Sequence, residues 1–250
     1  MIDLSICVLH YNRWDLTREC IASIDQQHIP CDYEKVLVDN GSTEDRHHGI
    51  AGDWRLVRYE ENRGHIVGQN RCFESAQGIW VLFVANDVRL RPKAIRELWY
   101  SSHLGHIRQP LLITPGGQVD NAGLFWKWPG YGVSRTPYHP QLPDCITSTC
   151  YLMEKEVWNK VGKFDERLRT SHEDVDFSLR LHELGYNVYA RPDARAIHLG
   201  NSTLRDQLSH NRAAFHRDRL YVIRKHYRGL DYLTRYLAVQ LIDHLPRLPM

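Results

Sequence analysis

Short apolar runs alternate with segments of helical periodicity along the first hundred residues. The run 4–9 has the length and composition of a strand buried on both faces, and 36–38, 56–59 and 80–85 are predicted as further strands. Apolar residues at helical spacing predict helices around 16–24 and 66–76, and Gly78 is a typical stop signal for the second. Strand, loop and helix therefore alternate, which predicts the α/β fold class with a mostly parallel central sheet flanked by helices.

The rest of the chain is less regular. Gly, Pro and aromatic residues punctuate 102–144, which predicts long loops and short antiparallel strands beside a site. Further on, the pattern predicts an ordered segment over 146–153, a strand over 188–190, and helices over 155–161, 172–184, 204–227 and 231–244. Phe177, Leu181 and Leu184 have the spacing of a buried helical stripe.

Composition and charge narrow the class of protein. The 250 residues are 42% hydrophobic and 25% charged, which suits one large α/β domain. The six cysteines lack metal-ligand spacing, no leader pattern opens the chain and no apolar run approaches about 20 residues, so we expect a reduced, cytoplasmic protein. Residues 205–228 carry seven Lys/Arg against two acids, a charge of +5 that fits a solvated face, nucleic acid or peripheral contact with an anionic membrane.

Polar clusters follow the predicted strands, where open α/β sheets bind their ligands. They are His10–Arg13, Asp39–Thr43, Ala85–Asp87 and, after the late strand, His198. The dinucleotide fingerprint GxGxxG is missing after the first strand, which disfavours a nicotinamide enzyme, and the chain has no GxxxxGK[ST] phosphate loop.

Three of these residues have both a chemical and a structural interpretation. Asp39 can accept the N3–H of a uracil or thymine ring, or it can simply shape a turn. Asp87 suits Mg²⁺ or Mn²⁺ carrying a diphosphate, but a turn also accommodates a lone Asp. His198 is a suitable Mn²⁺ ligand, although a single histidine among the fifteen is more often structural.

The segment 171–176 places three carboxylates at the start of a predicted helix. Ser171 with Asp174 three residues later has the spacing of a capping box, and acids in the first turn favour the helix dipole. Alternatively, Asp174 at the rim of a pocket is a general base for an acceptor hydroxyl. The local pattern leaves both interpretations open.

Taken together, the motifs resemble those of a known enzyme family. They are the segments 5–12, 38–43, 61–64, 68–71, 81–92, 162–166, 173–180, 185–186 and 198–200. In order and approximate spacing they resemble the family 2 glycosyltransferases of the GT-A fold, and most closely the rhamnosyltransferase-like branch. The resemblance covers 4–92 and 146–203, and it is weakest over 102–144, where we expect the acceptor pocket.

The resemblance implies a role for each matching residue. It implies an inverting transfer from a UDP- or dTDP-sugar to a glycan, lipid-linked or other hydroxyl acceptor, with Asp174 as the base and Glu173 beside it. Asp87 and His198 match ligands of a Mn²⁺ or Mg²⁺ ion that stabilises the leaving diphosphate. The residues implied on the nucleotide side are His10, Tyr11, Asn12, Asp39, Asn62, Gly64, Asn70 and Asn86.

One position departs from the family pattern. The metal-binding Asp-x-Asp often begins with Asp or Asn, whereas this chain has Ala85 there. The loss leaves open a degenerate module that binds nucleotide-sugars without turnover. The basic segment 205–228 leaves open a second alternative, an enzyme that glycosylates a nucleic-acid base. We expect a domain over 1–203, divided into a nucleotide-sugar half (1–101) and an acceptor half (102–203), with a basic helical extension over 204–250 packed on it.

Overall fold

A mixed sheet lies at the centre of the computed structural model, which describes residues 1–43, 52–101, 105–134, 142–200 and 212–244. Its strands and one separate hairpin are β1 (Leu4–His10), β2 (Tyr33–Asp39), β3 (Trp54–Arg58), β4 (Trp80–Ala85), β5 (Val88–Leu90), β6 (Ile107–Ile113), β7 (Val119–Asn121), β8 (Leu124–Lys127), β9 (Tyr131–Ser134), β10 (Cys150–Glu154) and β11 (Val188–His198). The helices in the described ranges are α1 (Trp14–Asp25), α2 (His65–Ser75), α3 (Ala94–Tyr100), α4 (Lys155–Val161), α5 (Glu173–Glu183), α6 (Arg212–His226) and α7 (Gly229–His244).

The strand order of the sheet is β3-β2-β1-β4-β10-β6-β11-β5, with β7 on β6. The first four strands are parallel, as the alternation of strands and helices predicts. Beyond them β10 is antiparallel to both β4 and β6, β11 is parallel to β6, and β5 is antiparallel to β11. Strands β8 and β9 form a separate hairpin. The α/β class is confirmed, and the sheet is mixed in its second half.

The first strand shows why the apolar runs lack strict alternation. Its residues Ile6 and Val8 pack into one hydrophobic cluster with α1 and α3, whereas Cys7 and Leu9 pack into a second cluster with α2 and α4. Both faces of the strand are therefore buried, which is the usual situation of parallel sheets covered by helices.

The prediction of loops and short strands over 102–144 is wrong for β6, a seven-residue strand in the sheet. Its polar residues Arg108 and Gln109 interrupt the apolar pattern from which strands are predicted. The Arg108 side chain is fully buried with its guanidinium carbon 4.3 Å from the centre of the Trp80 ring. The Gln109 Oε1 accepts the Thr147 N–H at 2.9 Å. The Gln109 oxygen is therefore hydrogen-bonded, whereas the buried guanidinium nitrogens of Arg108 have no hydrogen-bond partner among the described residues and lie over the Trp80 ring.

Three further sequence predictions need correction. The late strand continues past 190 to His198, because a bulge between Arg191 and Arg195 lets it resume pairing with β6. Leu184 lies beyond the end of α5 and is 52% exposed, so it is outside the buried stripe. The residue before α5 is His172 in a left-handed conformation, and no side chain caps the helix, so Ser171 is not an N-cap.

The C-terminal helices contact the rest of the chain. Trp126 of β8 donates its indole N–H to the Tyr227 hydroxyl at 2.8 Å. Val222 and Ile223 of α6 are fully buried, whereas Leu208 and the other residues of 201–211 lie outside the described residues. None of the described helices is long and apolar enough to cross a membrane.

Gly41 provides a test of the loop after β2. A Cβ there would lie 2.3 Å from the carbonyl carbon of Glu61, and the φ of Gly41 is 80°. Gly117 is the matched control, because its φ is 81° but no atom lies within 4 Å of its Cβ position. We expect Gly117→Ala to cost about 1–2 kcal/mol of unfolding free energy from φ alone, and Gly41→Ala to cost more. Equal losses in urea denaturation would contradict the close approach.

Candidate functional site

Strand register brings the polar clusters of the N-terminal half to one edge of the sheet. His10 pairs with Asp39 across β1 and β2, and Leu9 pairs with Ala85 across β1 and β4. The carboxyl ends of these three strands are therefore level, and the loops that follow them lie side by side, where open α/β sheets bind ligands.

Side chains fasten the first two loops to each other. The Asn12 N–H donates to the Ser42 hydroxyl at 2.8 Å, and the Asn12 side-chain oxygen accepts the Thr43 N–H at 3.0 Å. Asn12 and Arg13 both have left-handed φ values, 48° and 49°, which non-glycine residues seldom adopt and which recur at functional loops. Tyr11, 40% exposed, lies beside them at the rim.

The loop before α2 is fastened to the same edge by Asn40. Its amide nitrogen donates to the Asn62 side chain and to the Gly64 carbonyl, both at 3.0 Å, and its oxygen accepts from Arg71 at 2.6 Å. The Arg71 guanidinium in turn lies 3.7 Å from the centre of the Tyr59 ring. Neither Asn40 nor Arg71 was singled out from the sequence, because their partners lie 22 to 31 residues away.

Asp39 is fully buried at this edge. One carboxylate oxygen accepts the Ser42 N–H at 2.9 Å, and the other lies 3.5 Å from Arg58 Nε. The turn-forming bond expected of a structural Asp is thus present. It uses one oxygen, while the second faces an exposed cationic side chain, so the geometry accommodates both interpretations of Asp39.

Three predicted nucleotide-side residues have inward-facing side chains. The buried His10 ring hydrogen-bonds the Thr17 hydroxyl at 2.7 Å, and Asn86 donates to the same hydroxyl at 3.1 Å. Asn70 is buried and exchanges two 3.0 Å hydrogen bonds with the Phe164 backbone. The loops that carry His10 and Asn86 therefore lie at the edge of the sheet, while both side chains point inward and bond Thr17. Asn70 holds the 162–166 loop behind this edge through its bonds with Phe164.

Asp87 and His198 lie together, as the resemblance implies. The antiparallel pairing of β5 with β11 puts Val88 opposite His198, and the Leu199 N–H donates to the Asp87 carbonyl at 3.0 Å. The His198 Nε2 is 3.4 Å from Asp87 Oδ2, and its Nδ1 is 2.8 Å from Asp120 Oδ2. Burial lowers the pKa of His198, but the hydrogen bonds and charges of Asp87 and Asp120 outweigh it and raise that pKa to about 9.

This arrangement fits a divalent cation that also binds a diphosphate. Two atoms 3.4 Å apart can share one ion at about 2.1 Å from each. Within the described ranges no three His, Cys, Asp or Glu side chains converge on one point, so the protein supplies a partial ligand set. Mg²⁺-type sites commonly take one or two carboxylates and leave the remaining positions to phosphate and water.

The acidic pair at the start of α5 is asymmetric. Glu173 is buried and lies 3.5 Å from the Gln69 amide nitrogen, and Gln69 accepts from the Tyr151 hydroxyl at 2.9 Å. Asp174 is half-buried and accepts the Val175 N–H at 2.8 Å. Burial, followed by the charge of Glu173, raises the pKa of Asp174 to about 8. A carboxylate with a raised pKa suits proton abstraction near neutral pH better than an ordinary Asp.

Helix α6 supports the start of α5. The buried Asp218 accepts the backbone N–H groups of Arg169, Thr170 and Ser171 at 3.1, 2.8 and 3.3 Å. The His172 ring packs against Phe215, with ring centres 4.6 Å apart. The loop before the acidic pair is therefore held by a helix of the basic C-terminal extension.

Part of the basic segment is paired within the fold. Lys225 and His226 both contact Asp176, a fully buried carboxylate of α5, at 2.6 and 2.9 Å. Burial raises the pKa of Asp176, but these partners and Arg180 outweigh it and hold that pKa below its usual range.

A cleft of about 340 Å³ lies between the start of α2 and the loop before α5. It is lined by Asn62, Arg63, Gly64, Ile66, Val67, Glu166, Leu168 and Arg169.

Comparison with known families gives a match over the N-terminal part. The family model "Glycosyl transferase family 2" matches residues 5–103. The chain is 28% identical over 222 residues to the O-antigen biosynthesis protein RfbC of Myxococcus xanthus, covering 78% of this chain and 17% of that protein. It is 26% identical over 213 residues to the N-acetylglucosaminyl-diphospho-decaprenol L-rhamnosyltransferase of Mycobacterium tuberculosis, covering 70% and 69%. The chain spans 17–31% of the first three curated relatives that it matches.

Solved structures share the architecture. GalNAc-T7, crystallised with UDP, GalNAc and Mn²⁺, superposes with a TM-score of 0.66 at 14% identity, over 97% of this chain and 48% of that one. At this identity the likeness concerns the fold alone. The GT-A fold expected from the sequence is thereby confirmed.

The raised pKa of Asp174 predicts a pH-dependent stability difference. Because the folded protein binds this proton more tightly than the unfolded chain, Asp174 destabilises the fold increasingly as pH rises from about 4 towards 8. Asp174→Asn mimics the protonated acid, so its unfolding midpoint should exceed that of the wild type by a margin that grows over this range. Asp193→Asn is the control, since the Asp193 side chain is 74% exposed. A margin independent of pH in thermal denaturation would contradict the assignment.

Proposed function

We propose that this chain, whose residues 5–103 match the family model "Glycosyl transferase family 2", transfers a sugar from a UDP- or dTDP-sugar to an acceptor hydroxyl and inverts the anomeric carbon. The observation that carries the proposal is that the strand ends that precede or bear Asp39, Asp87 and His198 lie at one edge of the sheet.

The nucleotide side of the proposal is supported by the buried Asp39 and the loops around it. A fixed carboxylate at a strand end can accept the N3–H of a pyrimidine, and Tyr11 offers an exposed aromatic ring beside it. Loops fastened by Asn12 and Asn40 limit the loss of entropy on donor binding. The UDP in the GalNAc-T7 structure is consistent with a nucleotide-sugar donor.

The diphosphate side is supported by Asp87 and His198, which would hold a Mn²⁺ or Mg²⁺ ion. When bound, such an ion supplies Lewis-acid stabilisation of the leaving diphosphate. Ala85 removes one acidic group from this end of the strand, but the pair of oxygen and nitrogen ligands remains.

Asp174 is proposed as the general base. It takes the proton of the acceptor hydroxyl while the acceptor oxygen forms a bond to the anomeric carbon. The bond from that carbon to the diphosphate oxygen breaks at the same time, and the nucleoside diphosphate leaves with the electron pair. Glu173, held by Gln69, raises the basicity of Asp174 through its charge.

For the acceptor, we propose a lipid-linked glycan. The support is the name of the Mycobacterium tuberculosis relative, whose acceptor is a sugar diphosphate on decaprenol. The exposed cations Arg217, Arg224 and Arg228 would meet the acceptor diphosphate or an anionic lipid surface. A nucleic-acid acceptor needs the same cations but has no other support, and a binding module without turnover would not need the raised pKa of Asp174.

Loss of the base should abolish transfer without loss of donor binding. We expect Asp174→Asn to lower kcat about 10²–10⁴-fold, because this is what removing a positioned general base typically costs. UDP affinity, measured by calorimetry, should change little, and Asp193→Asn should retain wild-type kcat. Transfer at the wild-type rate by Asp174→Asn would show that Asp174 has only a structural role in the first turn of α5.

Metal removal tests the diphosphate side. We expect EDTA to abolish transfer and Mn²⁺ to restore it at least as well as Mg²⁺, because an imidazole ligand favours the transition metal. The assay is nucleoside diphosphate release from a panel of UDP- and dTDP-sugars. Full activity in the chelator would remove the metal from the proposal.

A further inference from the structure

A third acidic residue completes a chain of side chains at the Asp87 and His198 site. Strand β7 pairs with the end of β6, and β6 pairs with the end of β11, so Asp120 reaches His198 across one intervening strand. Its Oδ2 lies 2.8 Å from His198 Nδ1, on the side of the ring opposite to Asp87. No motif of the family covers this part of the sequence.

The contact fixes the chemistry of the imidazole ring. A carboxylate only accepts hydrogen bonds, so Nδ1 carries a hydrogen and donates it to Asp120. In the neutral ring the lone pair is then on Nε2, which faces Asp87 at 3.4 Å. A histidine that binds a metal usually donates its other N–H to such a partner, which sets the tautomer and the ring orientation.

We propose that Asp120 is a positioning residue for the metal site: it holds His198 with Nε2 directed at the ion that Asp87 shares. This inference rests on the proposed function, because it requires the metal to bind there. Asp120 also restores an acidic group to a site in which Ala85 replaces the first acid of the family motif. Its own distance from the metal position, with the imidazole between, makes it a partner of the ligand rather than a third ligand.

A positioning role of Asp120 and a purely structural one predict different effects of removing its side chain. Asp120 is 36% exposed at its side chain and lies on a three-residue strand whose pairing uses backbone groups. Its removal should therefore leave the sheet intact. A structural role predicts loss of stability, whereas a positioning role predicts loss of metal affinity in a protein of unchanged stability.

The test measures Mn²⁺ binding to the full chain in the presence of UDP, by electron paramagnetic resonance of free Mn²⁺. We expect Asp120→Ala to weaken Mn²⁺ binding 10- to 100-fold, the usual loss when the partner of a metal-bound histidine is removed. Asp120→Asn should recover part of this loss, because the amide oxygen can still accept the Nδ1–H. Asp193→Ala is the matched control: it removes the same charge from β11 at an exposed position away from His198.

The outcomes are distinct. Wild-type affinity in Asp120→Ala, an equal loss in Asp193→Ala, or an unfolding midpoint that falls in parallel with affinity would each overturn the role of Asp120. Failure of the wild-type protein to bind Mn²⁺ with UDP would instead overturn the metal site itself. If Asp120→Ala does not fold, the comparison of Asp120→Asn with Asp193→Asn decides: equal affinities would overturn the proposal, and a selective loss would support it.

Discussion

Parallel pairing of β1 with β2 and with β4 is the constraint on which the site depends. The register runs from Leu4 opposite Tyr33 to His10 opposite Asp39, and a slip of one residue would exchange the side chains that β1 places in its two hydrophobic clusters. With that register, His10, Asp39 and Ala85 end their strands at the same level. The loops after them must then meet, and the hydrogen bonds of Asn12 and Asn40 fasten them in that position.

A second set of interactions holds the other half of the site. Helix α5 starts without a capping side chain, yet it carries the acidic pair. Asp218 of α6 binds three backbone N–H groups of the loop before this helix, and Lys225 and His226 both contact the buried Asp176. Removing one member of such a buried charged group leaves the others unpaired, which is costly. The basic segment therefore contributes to the architecture of the site as well as to its surface charge.

Local pattern in the sequence was sufficient wherever neighbours along the chain determine the structure. The strand over 80–85 and the helix over 155–161 were predicted with the bounds observed. The strand-end clusters also followed, because a parallel sheet aligns them. Strand β6 was missed, since Arg108 and Gln109 interrupt its apolar pattern and the residues that they contact, Trp80 and Thr147, are distant in sequence.

The supporting residues were missed for a similar reason. Asp218 binds backbone groups 47 to 49 residues away, and Asp120 meets His198 78 residues away. Nothing in the neighbourhood of either residue marks it as part of a site. The family resemblance implies roles for Asp174, Asp87 and His198. Asp218 and Asp120, which contact the loop before α5 and His198, lie in segments that the resemblance does not cover.

A crystal structure of the chain with UDP and Mn²⁺ tests the central claim most directly. The account predicts that the N3–H of the uracil ring donates to Asp39, and that anomalous scattering locates Mn²⁺ between Asp87, His198 and the diphosphate. The diphosphate should lie at the carboxyl ends of β1 and β4. Well-ordered UDP bound elsewhere, for example against Arg167 and Arg180 behind the sheet edge, would contradict the account.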